Sequence, residues 1–116
     1  TADYSALAIG HTTSAAEEIA KMAPGTKVVK AFNHVYAQIV HSSPQFGSQN
    51  ASVFFCGDDA AAKEVVAGLM REIGFDPVDS GPLTNARYIE PVAELMVQLA
   101  HFLGMGTDIA LKLIRR

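Results

Sequence analysis

The sequence predicts an α/β layer arrangement, a partly parallel sheet of about three strands followed by helices. Three observations predict it. The 116 residues are 49% apolar, which is enough for one core in a single small domain. Short runs rich in β-branched and aromatic residues, Lys27 to Phe32, Ser52 to Cys56 and Phe75 to Ser80, alternate with segments of helical period. The last third of the chain keeps the helical period almost without a break. Three strands are few for a sheet covered on both faces, so the chain is expected to be part of something larger.

Residues 1–13 are small and polar without period and read as a loop. Ser14-Ala15-Ala16-Glu17 matches a capping box, in which a hydroxyl and a carboxylate satisfy backbone donors at a helix start. That helix should run to about Ala23 with Ile19 and Met22 inward, and Pro24-Gly25 ends it. The strand Lys27 to Phe32 follows directly. Val35, Ile39 and Val40 then support a helix of about two turns, and residues 42–50, dense in Ser, Pro, Gly and Asn, read as the longest loop. After the strand Ser52 to Cys56, Asp58 or Asp59 can cap the next helix. Ala62, Val65, Val66, Leu69, Met70 and Ile73 form its apolar stripe and Gly74 its C-terminal stop. Pro77 places the third strand at an edge or a strand start.

In the last third, Ile89, Val92, Leu95, Met96, Leu99 and Leu103 share a helical period, with Pro91 in a first turn or at a kink. Gly104 and Gly106 break this helix. Thr107 or Asp108 is expected to cap another, with Ile109, Leu111, Leu113 and Ile114 apolar and Arg115-Arg116 at the negative end of its dipole. Two apolar helices are more than so small a sheet needs to cover. Residues 84–116 are therefore expected to pack on a partner, most simply a second copy of the chain.

A net charge of −3 and a pI near 5.7 without a basic stripe speak against nucleic acid. No apolar run has membrane-spanning length and no signal-peptide pattern opens the chain. The single Cys56 excludes an internal disulfide and suits a reducing, cytoplasmic setting. Among Val53, Phe54 and Phe55 it reads as a structural thiol. His11, His34, His41 and His101 are scattered without metal-ligand spacing. No nucleophile elbow and no G-x-G-x-x-G loop occur, and Gly104-Met105-Gly106 follows a helix, so it marks a helix end.

Two segments hold the candidate chemistry. Asn33 and His34 sit where the first strand stops, the position beyond a strand end where ligands gather in open α/β sheets. Asn33 can equally be a turn or cap residue. Gly81 to Arg87 joins the third strand to the last long helix, with Thr84 and Asn85 beyond the sheet. Locally the simpler reading is favoured there, with Asn85 capping the helix and Arg87 pairing with Glu90 or Asp79.

Lys27-Val28-Val29-Lys30-Ala31-Phe32-Asn33, Gly57-Asp58-Asp59, Gly81-Pro82-Leu83, Asn85-Ala86-Arg87, Glu90-Pro91 and Gly104-Met105-Gly106 together resemble the coenzyme F-420-dependent NADP oxidoreductase family. Asp3-Tyr4-Ser5 and Gly10 to Ala15 resemble its bacterial members, so the likeness spans essentially the whole chain. It implies the second half of a Rossmann-like domain in residues 1–83, then a helical segment, 84–116, suited to dimerisation. The half with the glycine-rich loop would lie upstream of Thr1, and the chain alone would be inactive. The resemblance implies hydride transfer between NADPH and a flavin, deazaflavin or similar acceptor. By resemblance, Ala31, Phe32, Asn33 and His34 lie along the nicotinamide, and Gly81, Pro82, Leu83 and Thr84 line the acceptor pocket. Deazaflavin reductases often carry a histidine near the strand end, where this chain has Asn33 followed by His34. No acid-base residue is required, because the protein positions two rings and excludes water. The other expectation is a non-enzymic module that self-associates through its last helices.

Overall fold

The computed structural model describes all 116 residues, Thr1–Arg116. The elements are α1 (Ala15–Met22), β1 (Val29–Lys30), α2 (Ala37–His41), β2 (Gln45–Phe46), β3 (Gln49–Asn50), β4 (Ser52–Gly57), α3 (Ala60–Ile73), β5 (Asp76–Asp79) and α4 (Ala86–Val97). A 3-10 turn, Leu83–Asn85, leads into α4, and a π-helical turn, Gln98–Phe102, continues it. The main sheet has the order β1-β4-β5. β5 runs parallel to β4 through the α3 crossover, and β1 runs antiparallel to β4, with Val29 opposite Gly57 and Lys30 opposite Cys56.

β4 organises both layers by simple alternation. Val53 and Phe55 point to α3, joining Ile39, Ala67, Met70 and Phe75 in the larger core. Cys56 points to the other face, where Ala16, Leu83, Ala86 and Ile89 form the smaller one, with Phe54 packed against it. The α3 ends are those the sequence predicts. Asp59 accepts the Ala62 amide at 2.8 Å, and Gly74 closes the helix at φ 107°, a conformation glycine adopts without a Cβ penalty. Half of the capping box at α1 forms: the Glu17 amide donates to Ser14 Oγ at 3.1 Å, while the Glu17 carboxylate accepts the Ser14 hydroxyl at 2.8 Å and not a backbone donor.

Other expectations fail for identifiable reasons. α1 does not turn Ile19 and Met22 inward; they are 52% and 77% exposed, and the small Ala16 is the buried contact. Polar clamps to α4, described below, set its orientation instead. On α3, Val66, Ala67 and Met70 face the sheet, whereas Val65, Leu69 and Ile73 lie on the outside. The expected stripe was wider than one sheet face can cover. Residues 42–50 are not irregular throughout, since β2 and β3 pair as a hairpin around Gly47 at φ 62°.

The final helix does not form. Gly104 and Gly106, both at positive φ, turn the chain back, and residues 107–116 run without helix. The Ser52 amide donates to the Leu111 carbonyl at 2.8 Å, the Leu113 amide to Ser52 Oγ at 3.0 Å, and Lys112 pairs with Asp76 at 2.7 Å. A tertiary demand, satisfying the start of β4, outweighs local helical period. His101 is exposed, with its ring edge-on to that of Tyr36. Pro91 lies inside α4, so the Arg87 carbonyl lacks the usual donor four residues on.

Candidate functional site

The strand that leads to Asn33 ends early because of one residue. Continued alternation would send Phe32, opposite Phe54, to the α4 face. Instead Phe32 takes φ 64°, a left-handed conformation that costs a bulky residue free energy. Its ring turns to the α3 side and meets Phe75 edge-on at 5.8 Å. The next two residues are thereby delivered to the α4 side.

Asn33 donates Nδ2 to the Ile89 carbonyl at 3.0 Å. His34 is buried, its ring 5.2 Å from that of Phe54, and its Nε2 accepts the Phe54 amide at 3.1 Å. An imidazole thus replaces the carbonyl that a longer β1 would have offered. Accepting at Nε2 assigns the proton to Nδ1, and burial lowers the pKa of His34 from its ordinary 6.5. Tyr36 follows, donating its hydroxyl to the Met96 carbonyl at 3.0 Å, just before the π-helical turn.

Between this segment and α4 lies a cavity of about 80 Å³, lined by Asn33, His34, Val35, Tyr36, Ala93, Met96 and Val97. Asn33 Oδ1 and His34 Nδ1, on two of its lining residues, are buried without a hydrogen-bond partner; a third such atom, Glu94 Oε1, is on the same helix. Unsatisfied buried polar atoms are rare in folded proteins. Here they gather beside a strained residue and a π-helical turn, features that concentrate at functional sites.

The second candidate segment is built differently. The Gly81 carbonyl accepts from the Gly57 amide and from Lys63 Nζ, each at 3.1 Å, and the Gly81 amide donates to Asp79. Gly81 has φ 95°, and a Cβ there would lie 2.8 Å from Asn85 Nδ2. The Leu83 amide donates to Asp58 at 2.9 Å, while the Leu83 side chain is buried. These groups are spent on the fold, and only Pro82 and Thr84 remain exposed. Asn85 does not cap α4 with its side chain but donates to the Ser80 carbonyl.

The structure does not bring the two segments together. His34 contacts Phe54 and Gly81 contacts Gly57, three residues or roughly 10 Å farther along β4. Because β1 runs against β4, their strand ends point to opposite sides of the sheet. Sequence reasoning assumed a common carboxyl edge, and nothing local in residues 27–34 reveals strand direction.

What sequence reasoning missed is the part played by Arg87 and Glu90. Arg87 pairs with neither Glu90 nor Asp79; it makes a bidentate pair with Glu17 at 2.8 and 2.9 Å. Glu90 reaches the first turn of α1, accepting the Ala15 amide at 3.0 Å and the Ala16 amide at 3.3 Å, with Lys30 Nζ at 3.7 Å. Its carboxylate thus caps a helix 75 residues earlier in the chain. Cys56 is wholly buried, its thiol pushed up to about 11 by desolvation and 3.8 Å from the Leu83 carbonyl. It is a structural thiol. No three His, Cys, Asp or Glu side chains gather as a metal would need, and no helix is long and apolar enough to cross a membrane.

No family model matches the chain. It is 40% identical over 82 residues to metalloreductase STEAP3 of Rattus norvegicus, covering 71% of this chain and 16% of that protein. It is 31% identical over 98 residues to the F420-dependent NADP reductase of Methanocaldococcus jannaschii, covering 83% of this chain and 43% of that one. Among solved structures, a protein of Arthrobacter sp. FB24, provisionally described as an F420-dependent NADP reductase, superposes with a TM-score of 0.86 at 33% identity. That match covers 95% of this chain and 50% of the other. The chain thus spans half or less of the length of each of these relatives.

Proposed function

From its homology to the F420-dependent NADP reductases and the STEAP metalloreductases, we propose that this chain works in an NADP-dependent oxidoreductase, where it forms one wall of the nicotinamide site. The observation that carries this reading is the pair of unsatisfied atoms beside the left-handed Phe32. Asn33 Oδ1 is an acceptor and His34 Nδ1 a donor, the complement of a carboxamide. Val35, Ala93, Met96 and Val97 supply apolar surface around them. As it stands, the cavity admits the edge of a ring bearing that amide, not a whole dinucleotide. Nor does the chain contain the glycine-rich loop that would cradle a pyrophosphate.

When bound, the nicotinamide supplies the hydride. The residues named here orient it and exclude water, with Ala31 and Phe32 fixing the backbone, Asn33 and His34 reading the amide, and Tyr36 bracing α4. None of them exchanges a proton with the reacting atoms. The acceptor must reach the same ring at about 3–3.5 Å, which favours the Asn33 side of β4 over the distant turn at Gly81–Thr84. The names of the relatives favour the deazaflavin F420, with reduction of a metal ion next.

The test is oxidation of NADPH by a protein in which this chain is joined to a half carrying the glycine-rich dinucleotide loop, in the presence of F420, FMN or a ferric chelate and read from the NADPH absorbance; the 116 residues by themselves are expected to stay inactive. Turnover with one acceptor is expected, and Asn33→Ala should lower kcat/KM for NADPH about tenfold, the equivalent of one buried hydrogen bond. Absence of both turnover and NADPH binding would overturn the proposal.

A further inference from the structure

The tail that closes the start of β4 also helps to build a groove of about 750 Å³, where β5 begins. That volume lies within the range of small-molecule sites. The tail contributes Lys112 and Arg115, the end of α3 contributes Arg71, and the β2–β3 hairpin adds the exposed amides of Gln49 and Asn50. Three cations thus face one carboxylate, Asp76, in a chain whose net charge is −3. The excess is not neutralised from within. Lys112 is committed to Asp76 at 2.7 Å. Arg71 has only Glu64 at 3.0 Å, in a pair whose side chains are 54% and 71% exposed and which solvent therefore screens. Arg115 belongs to none of the chain's ion pairs. The Lys112 hydrogen bond, with the charge of Arg115 adding to it, holds the Asp76 carboxyl below its ordinary 3.8. The negative end of α3 would repel an anion, but its Met70 and Arg71 carbonyls are covered by the Gly74 amide, and Met70 also by that of Phe75.

We propose that this groove is a phosphate site, taking the phosphomonoester of an organic ligand of nucleotide size. Guanidinium forks match carboxylate and phosphate alike. A carboxylate offers two oxygens, which one fork occupies, whereas a phosphomonoester offers three, enough for Arg71 and Arg115 together. Pro77, Leu113 and Ile114 give the rest of the ligand an apolar surface, which inorganic phosphate would leave unused. The groove also lies at the same end of the sheet as Asn33 and His34. β1 runs against β4, and His34 meets Phe54, two residues or roughly 7 Å from Ser52 at the start of β4. The phosphate therefore comes either from the phosphorylated arm of a ring bound at Asn33, which rests on the redox reading, or from a separate mononucleotide, which does not.

Isothermal titration of the purified chain with FMN, riboflavin and AMP, at low ionic strength and without NADPH, tests this. The chain has no glycine-rich loop, so such a loop cannot account for phosphate binding. FMN should bind at least about tenfold tighter than riboflavin, which lacks only the phosphate, as one charge-assisted hydrogen bond predicts. Arg71 and Arg115 are exposed, so Arg71→Ala and Arg115→Ala should fold normally and each weaken FMN about tenfold. Lys21→Ala removes an exposed cation of α1 and should change nothing. AMP binding as tightly as FMN assigns the phosphate to a separate mononucleotide, and FMN binding without AMP binding assigns it to the arm of a ring ligand. Equal affinities for FMN and riboflavin, no binding of either, or an equal loss in Lys21→Ala would overturn the proposal. Each of those results leaves the redox reading standing, because NADPH takes no part in the titration.

Discussion

The two faces of the sheet are held by different forces. On the α3 face, Ile39, Val53 and Met70 are at most 1% exposed and the contacts are apolar throughout. On the opposite face the apolar cluster is smaller, and α1 is fastened to α4 by charge: Glu17 to Arg87, and Glu90 to the Ala15 and Ala16 amides and Lys30. The first face resists loss of volume poorly and changes of pH well. The second should show the reverse. A short helix with an alanine as its buried contact cannot anchor itself by burial, so directional hydrogen bonds to backbone donors take over.

The sharpest way to break the contrast is Met70→Ala. Truncating a fully buried side chain in a close-packed core should cost about 2–5 kcal/mol, measured by urea denaturation, with little dependence on salt. Glu90→Ala attacks the other face. It leaves two helix N-terminal amides and Lys30 without their acceptor and should cost about 1–3 kcal/mol. Amide exchange should then rise selectively in Ala15–Met22, where uniform acceleration across β4 would show that the two faces are not separable.

Acid should sharpen the contrast further. His34 has its pKa lowered by burial from 6.5, so the unfolded chain takes up the proton first. Its contribution is intact above about pH 6.5 and is lost as the pH falls below that value. The Arg87 hydrogen bond, then that of Ser14, lowers the pKa of Glu17 from 4.5, so the α1 clamp fails later, as pH falls below about 4.5. A pH series of melting temperatures should therefore show two acid slopes, and His34→Gln should remove the first one only. The smallest effect expected is that of Arg87→Ala, a modest drop in melting temperature at low salt that vanishes at high salt, because that pair is partly solvated.

What could be read from the sequence divides along the same line. The caps of α1 and α3 were legible because Ser14, Asp59 and Gly74 act within a few residues of themselves. β4 and its parallel partner were legible as apolar runs flanking a helix. The direction of β1 was not, since only the partner strand defines it. Nor was the conversion of residues 107–116 from helix to an unwound tail, because its cause is Ser52, far back in the chain. At the candidate site, Asn33 and His34 could be singled out by position. Their unsatisfied atoms and the left-handed Phe32 that presents them became visible only in three dimensions, and the separation of Gly81–Thr84 from them likewise.

The tail has a consequence in time as well as space. Ser52 opens the central strand, yet the groups that complete its hydrogen bonding arrive with Leu111 and with Leu113, 61 residues later. During synthesis β4 and β5 can pair as soon as α3 and β5 are made, but the mouth of that sheet stays open until residues 111–113 have emerged. Contacts this distant in sequence form late. In a nascent chain the exposed start of β4 is therefore the place where premature association with a neighbour would begin, and closure by the tail is the event that ends the risk.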